Sequence, residues 1–377
     1  MSRFAHDRRM FLAAASSLAA AGLIPGRLWA EEASVEPKKL EAIVTKGIDF
    51  LQTKGQAADG SFTKPVGIGI TALAATAMLR HGRSPEDPSV AKALKYLEDN
   101  VQPTGGIHAA NGRLKTYETC VAVLCFSEAN RDGKYDDLIK KADAFIKKIP
   151  FDAEEGNSPE DFQYGGAGYG GQGRPDLSNT AYLIEALKAA GAGADDPAIK
   201  NALLFVSRCQ NLESPHNTTP FAAKVNDGGF YYTPIAGNDD ATTDNGGLRS
   251  YGAMSYAGLK SMAFAGVKPD DARVQAVRKW VAKNYDLKTH PGQGDAGLFY
   301  YYNTFAKALE ANGEAEIEAA DGKKHNWRQD LVDELASRQK EDGSWVNTNQ
   351  RWFESDPNLS TSFALLALSY CVPAKKP

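Results

Sequence analysis

The sequence predicts an all-α protein, an α/α barrel of six helical hairpins with an inner and an outer ring of helices. Three observations lead there: one helical pattern recurs six times, two kinds of helix alternate along the chain, and a glycine-rich turn of common form joins them. The chain has 377 residues, 42% of them apolar and 24% charged, with a formal charge of -4, which is the composition of a chain able to bury a large core.

The first element is not part of that repeat. Arg8-Arg9-Met10-Phe11-Leu12 opens a run of small and apolar residues to Ile24, and Leu28-Trp29-Ala30 precedes Glu31 as a small-residue cleavage site with leucine at its first position. Residues 1–30 therefore read as a twin-arginine export signal, which places the mature chain (31–377) in the periplasm or another extracytoplasmic space. The apolar run is shorter than the roughly 20 residues of a membrane-spanning helix. Removing residues 1–30 takes away Arg3, Arg8, Arg9, Arg27 and Asp7 and leaves a charge of -7, so no nucleic-acid partner is expected.

The outer helices come first in each hairpin. In "KKLEAIVTKGIDFLQ" (38–52) the residues Leu40, Ile43, Val44, Gly47, Ile48 and Leu51 share one helical face, with charged residues opposite, and "DARVQAVRKWVAKNY" (271–285) repeats this with Val274, Val277, Trp280 and Val281. The second helix of each hairpin is apolar or small nearly all round, as in "ITALAATAMLRHG" (70–82) and "NLSTSFALLALSY" (358–370), so both its faces are expected to be buried. Its anchors are Thr71, Thr119, Thr180, Ser255, Tyr302 and Thr361, separated by 48, 61, 75, 47 and 59 residues, and Gly82, Gly191, Gly266 and Gly313 follow four of them as helix C-caps. Such hairpins bury their inner faces only against one another, in a closed ring or in an open solenoid. Cys120, Cys125, Cys209 and Cys371 fall in these helical segments without a C-x-x-C pair and read as core thiols.

Between the two helices lie "QAADGSF" (56–62), "QPTGGIH" (102–108), "NDGGFYY" (226–232), "QGDAGLF" (293–299) and "QKEDGSW" (339–345). Glycine supplies a positive backbone angle, the aromatic residue covers the helix end, and the glutamine bonds exposed backbone groups. Lys46-Gly47-x-x-Phe50-Leu51 with Gln56-x-x-Asp59-Gly60-x-Phe62, and Gln339-x-x-Asp342-Gly343-x-Trp345, resemble the QW repeats of squalene-hopene and other triterpene cyclases. The protein prenyltransferase β subunits share the α/α toroid that this resemblance implies, and the likeness runs from about residue 38 to 372.

The family chemistries are not spelled out in the same way. The cyclases' Asp-x-Asp-Asp acid has no counterpart, since none of Asp136-Asp137, Asp195-Asp196, Asp239-Asp240 and Asp270-Asp271 has an aspartate two positions earlier, and the chain has length for one barrel. Three of these pairs, all but Asp239-Asp240, stand where an outer helix should begin. The zinc set of the prenyltransferases would fall on Arg249, Tyr251 and Tyr301, which are not zinc ligands, and Asp239-Asp240-x-x-x-Asp244 has one residue too many for a magnesium-diphosphate motif. No metal and no cofactor is expected.

In a closed ring the inner helices run the same way, so the loops before them gather at one rim. That rim is rich in aromatic residues with dispersed charges, and the ligand-binding candidates are Tyr164, Tyr169, Asp227, Tyr231, Arg249, Tyr251, Tyr301, Arg351 and Trp352. Asp176 and Asp356 read as helix-start charges. Three functions fit: a cyclase-like protein holding a hydrophobic, isoprenoid ligand in the cavity; a polysaccharide lyase or hydrolase using Arg249 and Tyr251 or rim carboxylates; and a non-catalytic interaction module. The expected partner is a small-molecule or polymeric ligand, with contact to a membrane surface or a protein left open.

Overall fold

Four of the outer helices begin at an aspartate or asparagine, Asp87, Asp196, Asp271 or Asn326, whose side chain accepts a first-turn backbone N–H, in two cases beside a proline. The computed structural model describes residues 35–170, 173–235 and 242–372, and the export signal and Asp239-Asp240 lie outside them. In chain order the hairpins are α1 (Pro37–Phe50) with α2 (Gly69–Arg80), α3 (Pro88–Glu98) with α4 (Lys115–Ala129), and α5 (Asp136–Ile146) with α6 (Leu177–Ala189). Then α7 (Pro197–Arg208) leads through the one-turn α8 (Ala222–Val225) to α9 (Gly252–Phe264), α10 (Ala272–Lys283) pairs with α11 (Leu298–Ala311), and α12 (Trp327–Arg338) with α13 (Pro357–Leu368). A two-stranded ribbon, β1 (Ile317–Glu318) antiparallel to β2 (Lys324–His325), decorates the link from α11 to α12.

The aspartate pairs do what their positions predict. Asp196 and Asp271 accept the N–H of Ala198 and Arg273 at the starts of α7 and α10, and Asp136-Asp137 occupy the first turn of α5. The inner helices α2, α4, α6, α9, α11 and α13 each pack on the next, and α13 packs on α2, so the ring is closed. That settles the choice between a closed ring and an open solenoid. Gln339 of the last hairpin donates to the Ile43 carbonyl of α1 at 2.8 Å, and Asn358 to Thr63 Oγ1 at 2.9 Å, stitching the sixth repeat to the first. All four cysteines are buried free thiols.

The repeated anchors have one physical job. The hydroxyls of Thr71, Thr119, Thr180, Ser255 and Thr361 accept the N–H of Phe62, Ile107, Ala167, Phe230 and Trp345 at 2.9 to 3.1 Å, fixing each turn to its inner helix. The sixth anchor, Tyr302, departs from this and donates to the Leu287 carbonyl instead. Gln102 donates within its own link, to Asn100 O and His108 O, but three other glutamines act alike: Gln56 bridges Gly60 O and Ser89 O, Gln210 bridges Gly228 O and Arg273 O, and Gln339 bridges Gly343 O and Ile43 O. Each of these three therefore ties its own turn to the next outer helix. No helix among the described residues is long and apolar enough to cross a membrane.

Candidate functional site

Because the inner helices are parallel, their first turns converge at one end of the ring, where they surround a cavity of about 260 Å³. Its wall takes Ile70 from α2, Tyr117 from α4, Ser178 and Tyr182 from α6, Met254 from α9, Tyr300 from α11, and Leu359 and Phe363 from α13. Tyr169, Tyr232, Tyr251, His290, Trp352, Phe353 and Glu354 complete the rim from the preceding loops. The rings form a continuous wall: Tyr117 meets Tyr182 edge-on with centroids 5.3 Å apart, Tyr182 faces Tyr300 at 6.4 Å, and Tyr300 meets Phe363 at 5.7 Å.

Parallel helices also bring their positive ends together, and carboxylates answer them. Glu118 accepts the N–H of Ile68, just before α2, and of Ala109, both at 2.9 Å. Asp176 caps α6 through Asn179 N at 2.8 Å, and Asp356 caps α13 through Leu359 N at 2.9 Å. Glu354 takes the Tyr300 N–H of α11 at 2.7 Å and the Asn347 amide at 2.8 Å. At α9 the cap is neutral: His290 Nε2 accepts from Ala253 N at 2.9 Å while its Nδ1–H donates to Ala296 O at 2.7 Å, which fixes the tautomer. Burial pulls the His290 pKa down to about 4, against the hydrogen bond to Ala296.

Burial pushes the Asp176 carboxyl up to about 6, although Asn179 and the Tyr232 hydroxyl favour its charged form. Burial likewise raises Glu354, against the N–H groups it accepts. Glu354 is the one carboxylate on the cavity wall among the described residues, and its hydrogen bonds commit it to the start of α11. Asp176 is buried and does not line the cavity, whereas Tyr232 and Tyr169 beside it do. The mouth is thus an apolar, aromatic chamber whose acids are occupied in holding helices.

Of the nine candidates read from the sequence, Tyr169, Tyr251 and Trp352 line the cavity. Arg351 stacks over the Trp352 ring, 4.7 Å from its centroid, at the outer edge. The other five are placed elsewhere. Tyr164 is buried, and Tyr231 is buried with its hydroxyl on the Arg208 carbonyl. Asp227 holds Gly229 N, Ser250 Oγ and Trp280 Nε1. Tyr301 stacks on His290 at 4.8 Å with its hydroxyl on Asp286 O. Arg249 is exposed and stands outside the cavity wall that Tyr251 lines.

Residues the rim reading missed are Tyr117, Tyr182, Met254, Leu359 and Phe363, all inside apolar helices. A signal for them existed. Glu185, Lys260 and Lys307 are charges within helices that are otherwise uncharged up to their last turn, so they mark the face toward the axis, and Tyr182 and Ser178 precede Glu185 by three and seven residues as Tyr300 precedes Lys307 by seven.

Comparison with known proteins agrees with the fold. A family model described as the squalene-hopene cyclase C-terminal domain matches residues 48–233. The type II terpene cyclase MstE from Scytonema superposes with a TM-score of 0.54 at 13% identity, covering 89% of this chain and 99% of that one. A protein from Actinoplanes gives 0.51 at 14% identity over 88% and 99%, and a glycosidase variant in complex with glucose gives 0.50 at 14% over 89% and 97%. No curated protein matches by sequence. One barrel therefore suffices for a protein named a terpene cyclase, so this chain's length is no argument against that class.

Proposed function

We propose that this chain, an α/α toroid similar over residues 48–233 to the squalene-hopene cyclase C-terminal domain, is an exported protein whose central cavity binds a hydrophobic, isoprenoid ligand. The observation that carries this is the wall itself: six inner helices present aromatic and aliphatic side chains to one chamber, and its single carboxylate among the described residues, Glu354, is spent on the Tyr300 N–H and the Asn347 amide. An uncharged hydrocarbon gains from the aliphatic side chains and aromatic faces of that wall. The chamber of about 260 Å³ lies just under the usual range for small-molecule sites, roughly 300–1,000 Å³, so it suits a compact prenyl group or one end of a longer chain.

A glycosidase would need two carboxyl groups facing the substrate, about 5 to 9.5 Å apart, and the described residues of this wall offer no such pair. Native mass spectrometry and thermal shift with geranylgeraniol, squalene and acidic polysaccharide fragments test the reading. The prenyl compounds are expected to raise the melting temperature and stay bound, and Met254→Trp, which fills the chamber, should abolish both effects. Capture of saccharides and not of prenyl compounds would overturn it. Export is read from the same preparation, since a chain retained in the cytoplasm would remove the leader from the proposal.

A further inference from the structure

Below the chamber, the barrel axis is crossed by charge. Glu185 of α6 is buried and receives Lys260 of α9 on one carboxylate oxygen and Lys307 of α11 on the other, the latter at 2.6 Å. Both lysines are buried as well. Each ammonium carries three N–H groups and donates one hydrogen bond among the described residues, so four N–H groups are unspent. Arg80 of α2 adds a third cation; it pairs with Glu128 at 2.7 Å and lies close enough to disfavour the Lys307 charge. Two buried ammonium groups thus share one buried carboxylate, an excess of one positive charge in the interior, beside the partly exposed Arg80–Glu128 pair.

A small cavity of about 10 Å³ opens at this point, lined by Arg80, Lys307, Asn303, Thr76 and Tyr182 with apolar neighbours. Two of its polar groups, the Tyr182 hydroxyl and Asn303 Oδ1, are buried without a hydrogen-bond partner. Its size is that of one water-sized sphere. A water could donate to Asn303 Oδ1 and accept from Lys307 or the Tyr182 hydroxyl, but it would leave the charge as it was. A monatomic anion brings acceptor capacity alone and cancels the charge, which is what a low-dielectric interior favours.

We propose that this cavity is a binding site for a halide-class anion, held by Lys307, Arg80 and the Tyr182 hydroxyl. The inference goes beyond the prenyl-binding reading and does not depend on it, although Tyr182 belongs to both cavities and an ion beneath it fixes the chamber floor. Burial pulls both lysines below their ordinary pKa, against the Glu185 carboxylate, as expected for cations that lack a full share of negative charge.

Two measurements on the full chain decide it. Crystals soaked in sodium bromide should give an anomalous peak between Arg80 and Lys307; a bromide map without a peak there overturns the proposal. In thermal unfolding at constant ionic strength, replacing gluconate by chloride should raise the melting temperature saturably, on the order of 2 °C at ten times the dissociation constant. Lys307→Met leaves one cation on Glu185 and should lose that response; should this variant not fold, the wild-type bromide map still decides. Equal melting in chloride and gluconate for the wild type would count against a halide.

Discussion

Asp176 and His290 occupy the same rim and answer acid in opposite senses. The Asp176 carboxyl keeps its proton up to about 6 in the fold and releases it near 3.8 when unfolded, so its effect on stability is lost as pH rises through that interval. His290 stays neutral down to about 4 in the fold but is protonated near 6.5 when unfolded, so its effect grows as pH rises. Across this overlap the two nearly offset each other in the wild type, and single variants should separate them. Between pH 4 and 6 the stability of Asp176→Asn relative to wild type should rise by about 1–3 kcal/mol, while that of His290→Gln should fall by a similar amount. Urea titrations at each pH check this, and a constant difference for either variant would mean that its side chain does not titrate as assigned. Glu118, Glu354 and His81, also shifted by burial, are common to variant and wild type and drop out of the comparison.

At the scale of the hairpin, the repeat depends on backbone geometry as well as on the hydroxyl and glutamine bonds of its turns. Gly60, Gly105, Gly228 and Gly343 all have positive φ, and a Cβ on any of them would overlap the carbonyl of the next outer helix, Lys92, Lys141, Ala276 or Lys46. Gly82 has φ +85 as well, but nothing lies within 4 Å of a Cβ built there. Gly82→Ala should therefore cost about 1 kcal/mol for its backbone angle alone, and Gly343→Ala clearly more, at least about 3 kcal/mol, because a turn must also move off its neighbour. Chemical denaturation of the two variants measures the difference; equal losses would show that the close approach contributes nothing. These elements were legible in the sequence because their signals are local: a period of 3.6, a hydroxyl at a fixed offset, an Asp-Gly or Gly-Gly turn. The cavity wall was not. Neighbours in the chain take opposite roles, with Tyr232 on the chamber and Tyr231 in the junction, and Tyr300 on the axis and Tyr301 against His290. In a helix buried on every side, the apolar pattern that announces burial no longer says which side is which. Loop aromatics such as Tyr169, Tyr251 and Trp352 could be found by position, but their companions on the inner helices needed the charged markers at 185, 260 and 307.

For the whole molecule the decisive feature is closure, which puts the last hairpin against the first. Lys39 pairs with Asp333, Glu36 N–H reaches the Gln329 amide oxygen at 2.8 Å, and His81 meets the Leu365 carbonyl at 2.7 Å. An open array of repeats unravels from its ends and tolerates the loss of a terminal unit, whereas a ring has no end unit to lose. The order in which the hairpins follow one another along the polypeptide is then only one of several ways to cut the same circle. A circular permutant that joins residues 372 and 35 through a flexible linker and opens the exposed link at Gly193 should regain the wild-type near-ultraviolet circular dichroism and bind the same ligands. If it stayed unfolded, the native start and finish would be instructions for folding and not merely an incision in a circle.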